Sequence, residues 1–346
     1  MKKVLLVGGH PPPYGGITVH IQRLKKLLEG EGHKVVVLDL IGKTPVEDEN
    51  IVSVFNKYKF ITLFKSLKYI FFSDEEIIHF HTSAFGNFLY VAPLYLILCL
   101  SKRKIITIHS GSFVQEVFNY NLFKKKVFGI VIKKFDEIIV VNNEQKIFLK
   151  TNFLNISSGN VHVIPAFLPD VLIDTQVPKE LKYEIEQIIQ DKSKIILSSG
   201  YMQPYYGHHI ILNAIKEFGA NFHIFICFYS SYNENYRNVL NELKNDNPNV
   251  HFHYDLTPRE FNYLIKYCDL YIRATDRDGD AVAIREALYL GKSVVASNCV
   301  ARPSGVITFD RDNINDLIEK IQIGLTIKNN TFVEDTSEIL KCVYKN

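Results

Sequence analysis

Short apolar runs recur along this chain. Most are followed by a glycine or polar turn and then by a stretch whose apolar positions fall three or four apart. The first run, residues 4–9, is apolar without alternation, as in a strand buried on both faces of a parallel sheet. Pro11, Pro12, Pro13, Tyr14, Gly15 and Gly16 come next. The spacing of Ile17, Ile21, Leu24, Leu27 and Leu28 then predicts a helix over 17–30, and 35–40 reads as the next strand. A strand, a glycine turn and a helix leading to a second strand let backbone approach a phosphate, although the spacing is not G-x-G-x-x-G.

The same alternation continues. Residues 77–81, 104–108, 137–141 and 161–164 read as strands, with helices over 88–100 and 113–134. Pro165, Pro169 and Pro178 mark a crossing between domains. The second half begins with an amphipathic stretch, 181–189, and repeats the pattern. Strands are predicted at 195–199, 223–229, 250–254, 270–273, 293–297 and 305–309, and helices at 210–218, 313–324 and 336–344. Each half alternates β and α, so each should be a doubly wound parallel sheet. The expected division is 1–168, 169–330 and a C-terminal helical segment, 331–346, that returns to the first domain.

Composition narrows the class. A chain of 346 residues suits two domains, and 47% hydrophobic with 22% charged residues is ordinary for a globular protein. The N-terminal Met1-Lys2-Lys3 leads into too short an apolar run for a cleavable leader, and the longest apolar stretch, 88–100, falls short of the roughly 20 residues of a membrane span. Cys99, Cys227, Cys268, Cys299 and Cys342 are scattered without C-x-x-C spacing, which argues for a reducing compartment and against a disulfide framework or zinc. The net charge of +3 conceals an asymmetry. Residues 1–168 hold 21 Lys and Arg against 13 Asp and Glu (+8), and the remainder 19 against 24 (−5). A basic first half suits an acidic substrate or an anionic membrane. No nucleic-acid-binding pattern is visible.

Candidate chemistry concentrates after the run at 270–274. Arg273 ends that strand. An acidic turn carries Asp278, Gly279, Asp280 and Ala281, and Val282 opens an amphipathic helix carrying Glu286 and closing at Gly291. The N–H groups of a helix start and its dipole favour a phosphate there. Two carboxylates, Asp278 and Glu286, can accept hydrogen bonds from ribose or sugar hydroxyls if they face one cleft. His109 follows the strand at 104–108, at the carboxyl end where ligands of such sheets collect. His79 and His81 form an H-x-H pair without a third ligand at plausible spacing, so they are expected to line the cleft edge or to be satisfied in the core, and no metal is expected.

These motifs resemble the retaining glycosyltransferases of family 4 with the GT-B fold. That family's donor signature is E-G-F-G-x4-E. Asp278 stands for its first Glu, Gly279, Asp280 and Ala281 for the next three positions, and Glu286 for the last Glu. Gly15 and Gly16 match its Gly-Gly pair, and His109 its Thr-x-His segment. The family's G-R-L-x-x-x-K-G segment aligns with 200–207. Gly200 and Gly207 are kept there, but Tyr201 and Tyr206 occupy the cationic positions, so the usual diphosphate clamp is absent and Arg273 is the best-placed replacement.

The resemblance implies two Rossmann-like domains facing a central cleft, with the acceptor bound by the first and a nucleotide-sugar donor by the second. It implies sugar transfer with retained configuration to a glycan or lipid-linked acceptor, in cell-surface polysaccharide synthesis, with no cofactor beyond the nucleotide-sugar co-substrate. In that reading Glu286 binds the ribose, Asp278 the sugar hydroxyls and His109 the sugar, while Gly15, Gly16 and the amides at Ala281 and Val282 hold phosphate. A sugar-nucleotide epimerase of the same architecture and a non-catalytic partner subunit are the alternatives. Lysines interleave with large apolar residues at 57–72 and 118–134, and Lys124-Lys125-Lys126 is a cluster. With the basic balance of the first half, this predicts a cytoplasmic protein, peripheral on an anionic membrane face.

Overall fold

The computed structural model of the chain describes residues 1–42, 48–82, 85–154, 160–168, 177–219, 221–278, 281–327 and 336–345. Two compact units divide it. One holds residues 1–168 and 335–346, the other 169–334.

The N-terminal unit is built on β1 (Lys3–Gly8), α1 (Gly16–Gly30), β2 (Lys34–Asp39), β3 (Ile51–Ser53), α2 (Lys59–Phe72), β4 (Ile77–Thr82), α3 (Phe85–Leu98), β5 (Arg103–Ile108), α4 (Phe113–Phe118), α5 (Leu122–Ile132), β6 (Glu137–Val140), α6 (Asn143–Asn152) and β7 (Val161–Val163). All pairings are parallel, in the order β3-β2-β1-β4-β5-β6-β7. The order reverses between β1 and β4, the position where ligands of open α/β sheets bind. The central strands β1 and β4 are buried along almost their whole length because helices cover both faces; Val4, Leu5 and Leu6 are fully buried. The stretch at 113–134 is two helices, since the Asn121 side chain accepts from Lys124 N at 2.8 Å and starts α5 afresh.

The other unit comprises α7 (Lys179–Gln190), β8 (Lys194–Met202), α8 (His208–Ile215), β9 (Phe222–Tyr232), α9 (Glu234–Asn245), β10 (Val250–Tyr254), α10 (Pro258–Tyr267), β11 (Leu270–Arg273), α11 (Val282–Tyr289), β12 (Ser293–Ser297), β13 (Val306–Phe309) and α12 (Ile314–Thr326). Its six parallel strands run β10-β9-β8-β11-β12-β13, so the reversal falls between β8 and β11. α13 (Ser337–Lys345) joins the N-terminal unit. Leu340, Val343 and Tyr344 are buried in the core that holds Val4 and Leu24, and Lys341 pairs with Glu31 at 2.8 Å. No helix among the described residues is long and apolar enough to cross a membrane.

Candidate functional site

At the switch point of the second unit, β8 runs out through Gly200 and Tyr201 into a short turn of 3-10 helix, Pro204–Tyr206. Two glycines let this turn close. A Cβ on Gly200 would lie 2.0 Å from the Tyr206 ring, and one on Gly207 would lie 2.1 Å from the Ala274 carbonyl oxygen. Gly207 also takes φ +69°, in the left-handed region that glycine favours. The turn is thereby pinned to the segment after β11, and Asp276 N donates to Tyr205 O at 2.9 Å.

That segment is organised by a buried ion triad. Asp278 accepts from Arg273 Nε at 2.6 Å and Nη2 at 3.0 Å, and from Arg302 Nη1 at 2.8 Å. The three side chains are 7%, 11% and 3% exposed. Burial alone would push the Asp278 carboxyl up, but the two guanidinium groups outweigh it and hold it below its ordinary value. Two cations on one carboxylate leave a local excess of one positive charge. Arg302 is anchored further by Ser297, through Nε to the carbonyl at 2.9 Å and Nη2 to Oγ at 3.2 Å. Arg273 lies over the Tyr206 ring, 5.1 Å from its centroid, and its Nη1 reaches Ser199 O at 3.4 Å. At least three of its five N–H groups are thus used, and the Tyr271 hydroxyl is a further partner.

α11 begins at Val282 with Ala281 as its N-cap, and no side chain caps it. Its first amides therefore offer donors toward the turn. Glu286, one turn on, is 8% exposed. Its charge lies close enough to Tyr229 to add to the rise that burial gives that phenol. Gly279 and Asp280 lie outside the described residues.

The N-terminal unit has its own cluster at the carboxyl ends of β4 and β5. His81 and His109 approach through Nδ1 and Nε2 at 3.1 Å, and His20 of α1 stands beside both, with ring centroids 5.5 and 5.0 Å away. His20 Nδ1 donates to Ala166 O at 2.7 Å. Burial lowers the pKa of all three, that of His20 to about 4 against the opposing pull of the Ala166 carbonyl, and the other two well below the ordinary value. His79 is different. It is fully buried, its Nε2 meets Thr107 Oγ1 at 2.7 Å, and its Nδ1 meets the Tyr344 hydroxyl. The H-x-H pair is therefore not a ligand pair. His79 is satisfied in the core, one of the two places expected for the pair, whereas His81 meets one imidazole from α1 and one from the end of β5, which the spacing along the chain did not offer. Gly15, at the N-cap of α1, has an extended φ of −165°, and a Cβ there would meet nothing nearer than Thr18 Oγ1 at 4.0 Å. The fold itself makes no demand for glycine at that position. Gly16 opens the helix.

Arg302 and His20 were not singled out from sequence. Arg302 sits in the Ala301-Arg302-Pro303-Ser304-Gly305 loop after β12, and a cation in a loop at a strand's carboxyl end was the available signal. His20 is a polar residue among the positions of α1 that face inward, as Thr18 and Arg23 are.

Residues 14–169 match the family described as Glycosyltransferase Family 4, and residues 180–322 the family described as Glycosyl transferases group 1. No curated protein matches the chain in sequence. Among solved structures, it is similar to a sucrose-phosphate synthase from Thermosynechococcus elongatus, with 15% identity and TM-score 0.71 over 99% of this chain and 95% of that one. It is also similar to Anabaena HepE in complex with UDP and glucose, with 14% identity and TM-score 0.69 over 99% and 95%. A third is an E. coli trehalose-6-phosphate structure bound with UDP-2-fluoro glucose, with 13% identity and TM-score 0.65 over 99% and 95%. At these identities the likeness is one of fold.

Proposed function

We propose, from the premise that this chain is a glycosyltransferase of the GT-B type, that it takes a sugar from a nucleoside diphosphate donor held at the carboxyl ends of β8 and β11 and passes it to a glycan or lipid-linked acceptor with retained configuration. The observation that carries the donor site is the convergence there of an uncapped helix start, a buried carboxylate one turn on, and an arginine held beside the turn by Asp278. The amides at Ala281 and Val282 and the guanidinium of Arg273 suit a diphosphate, and Glu286 suits the ribose hydroxyls. Asp278 already accepts three charged N–H bonds, so its main work in this reading is to hold Arg273 in place, with at most one lone pair left for a sugar hydroxyl. Gly200 belongs to the same donor surface in this reading, and Gly279 and Asp280 are assigned to the donor on the sequence resemblance alone. Gly15, Gly16 and the Nδ1 edge of His109 are the N-terminal unit's proposed contribution to substrate contact. No group need act as a nucleophile; the protein's part is positioning and charge stabilisation. Two of the similar structures carry UDP or a UDP-sugar, which supports uracil as the first base to try.

The test is calorimetry of UDP, UMP and uridine against wild type and Arg273→Ala. If Arg273 replaces the cations absent at Tyr201 and Tyr206, the substitution weakens the diphosphate far more than the other two. Equal losses would make Arg273 structural. No diphosphate binding in the wild type would favour a non-catalytic partner.

The acceptor reading rests on another surface. On α2, Phe60, Phe64, Phe71 and Phe72 are 64–73% exposed, and on α5 Leu122 and Phe123 are 77–87% exposed. α2 packs on α3, and α3 on α4 and α5, over one core, so these rings belong to one helical layer. Lys124 lies over Tyr120 at 3.8 Å and Lys125 over Phe118 at 5.1 Å. Aromatic rings with lysines among them suit an anionic lipid surface, each lysine contributing about 1 kcal/mol, and such a surface is where a lipid-linked acceptor would be met.

A further inference from the structure

Of the histidine cluster of the N-terminal unit, the proposed function uses only the Nδ1 edge of His109. One nitrogen from each of His20, His81 and His109 lies within 4.8 Å of the other two. Two imidazoles bound to one tetrahedral ion at about 2.05 Å stand about 3.3 Å apart. The 3.1 Å between His81 and His109 is already close to that, and a nitrogen of His20 lies within 4.8 Å of both.

The tautomers favour ligation. Ala166 O can only accept, so His20 Nδ1 carries its proton and Nε2 presents a lone pair; a carbonyl on the far nitrogen is how metal-bound imidazoles are usually oriented. The nitrogen of His81 that faces His109 is Nδ1, so Nδ1 is its ligating atom, and His81 Nε2 has no partner among the described residues. His79 is excluded as a ligand, because both its nitrogens are taken by Thr107 and Tyr344.

We propose that His20, His81 and His109 form a three-imidazole site for a late first-row divalent cation of the Zn2+ class, tying α1 to the ends of β4 and β5. Three imidazoles without a carboxylate select Zn2+, Co2+, Ni2+ or Cu2+ over Mg2+ or Ca2+. His109 is only partly buried, so a fourth position stays open to water or to an oxygen of a bound ligand. The site shares His109 with the proposed substrate contact, through the other ring nitrogen, and uses no residue of the second unit.

Co2+ serves as the spectroscopic probe. The full chain, stripped with chelator and titrated with Co2+, should bind one equivalent with the intense visible bands of a four-coordinate nitrogen-rich site, and Zn2+ should displace it. His20→Gln, which can keep the bond to Ala166, and His81→Asn should each weaken binding at least 100-fold. His251→Gln, in the other unit, should leave it unchanged and so exclude adventitious surface sites. UDP binding, measured on the same variants, reports separately on the donor site. Absence of the visible bands in the wild type, or equal affinity in the His20 and His81 variants, overturns the proposal.

Discussion

The buried triad of Arg273, Asp278 and Arg302 makes a strong demand on stability. Replacing Asp278 by Asn keeps the shape and removes the charge, leaving two guanidinium groups that are 11% and 3% exposed without an anion. Three charged hydrogen bonds are weakened together, and stranding a buried charge in this way costs about 3–5 kcal/mol. The carboxyl's pKa is held below its ordinary 3.8 in the folded protein, so its contribution is complete above that value and is lost as pH falls further. The gap between wild type and Asp278→Asn should therefore stay constant from neutral pH down to about 5, then narrow below about 4. Urea denaturation followed by far-UV circular dichroism gives the gap, and hydrogen exchange in peptides covering β8 and β11 assigns it to the second unit. Asp278→Asn/Arg302→Met, which removes one stranded cation, should be less unstable than the sum of its single changes. A loss under about 1 kcal/mol in Asp278→Asn would mean that water solvates the arginines and that the triad does not order the turn.

Other expectations follow from single contacts. Gly207→Ala should destabilise the second unit by about 1–3 kcal/mol, read as a lowered urea midpoint, because the left-handed backbone and the Ala274 carbonyl both oppose a Cβ. Changing Lys124, Lys125 and Lys126 to Glu should abolish sedimentation with anionic vesicles at low salt while sparing nucleotide binding; a wild type that stays in the supernatant would point to a soluble acceptor. Arg273→Ala should separate UDP from UMP and uridine as described above.

Strands buried on both faces were easy to read, because short runs with apolar centres such as 270–273 and 293–297 admit little else, and those two match the observed bounds. β3 escaped, being three residues at the sheet edge with no buried side chain to set a pattern. The break between α4 and α5 escaped because it depends on one Asn side chain turning back onto the backbone. For the site, sequence located the strand, turn and helix around Asp278 and Glu286 but not what the carboxylate holds. Arg302 lies 24 residues beyond Asp278, and only the path of the loop after β12 brings them together. The histidines show the same limit. A pair at alternating positions looked like one unit, yet β4 sends His79 to Tyr344 and Thr107 while His81 meets a ring 28 residues away.

The most direct test is the affinity of wild type and Glu286→Gln for UDP, with GDP and ADP as alternatives, measured by calorimetry. If the buried carboxylate on α11 receives the ribose hydroxyls, wild type binds one of these diphosphates at a single site, and Glu286→Gln weakens it by about 1.5–3 kcal/mol, roughly 10- to 150-fold, with unchanged circular dichroism. An unchanged dissociation constant in Glu286→Gln, or no binding of any of the three to wild type, would contradict the assignment of the donor site to the ends of β8 and β11.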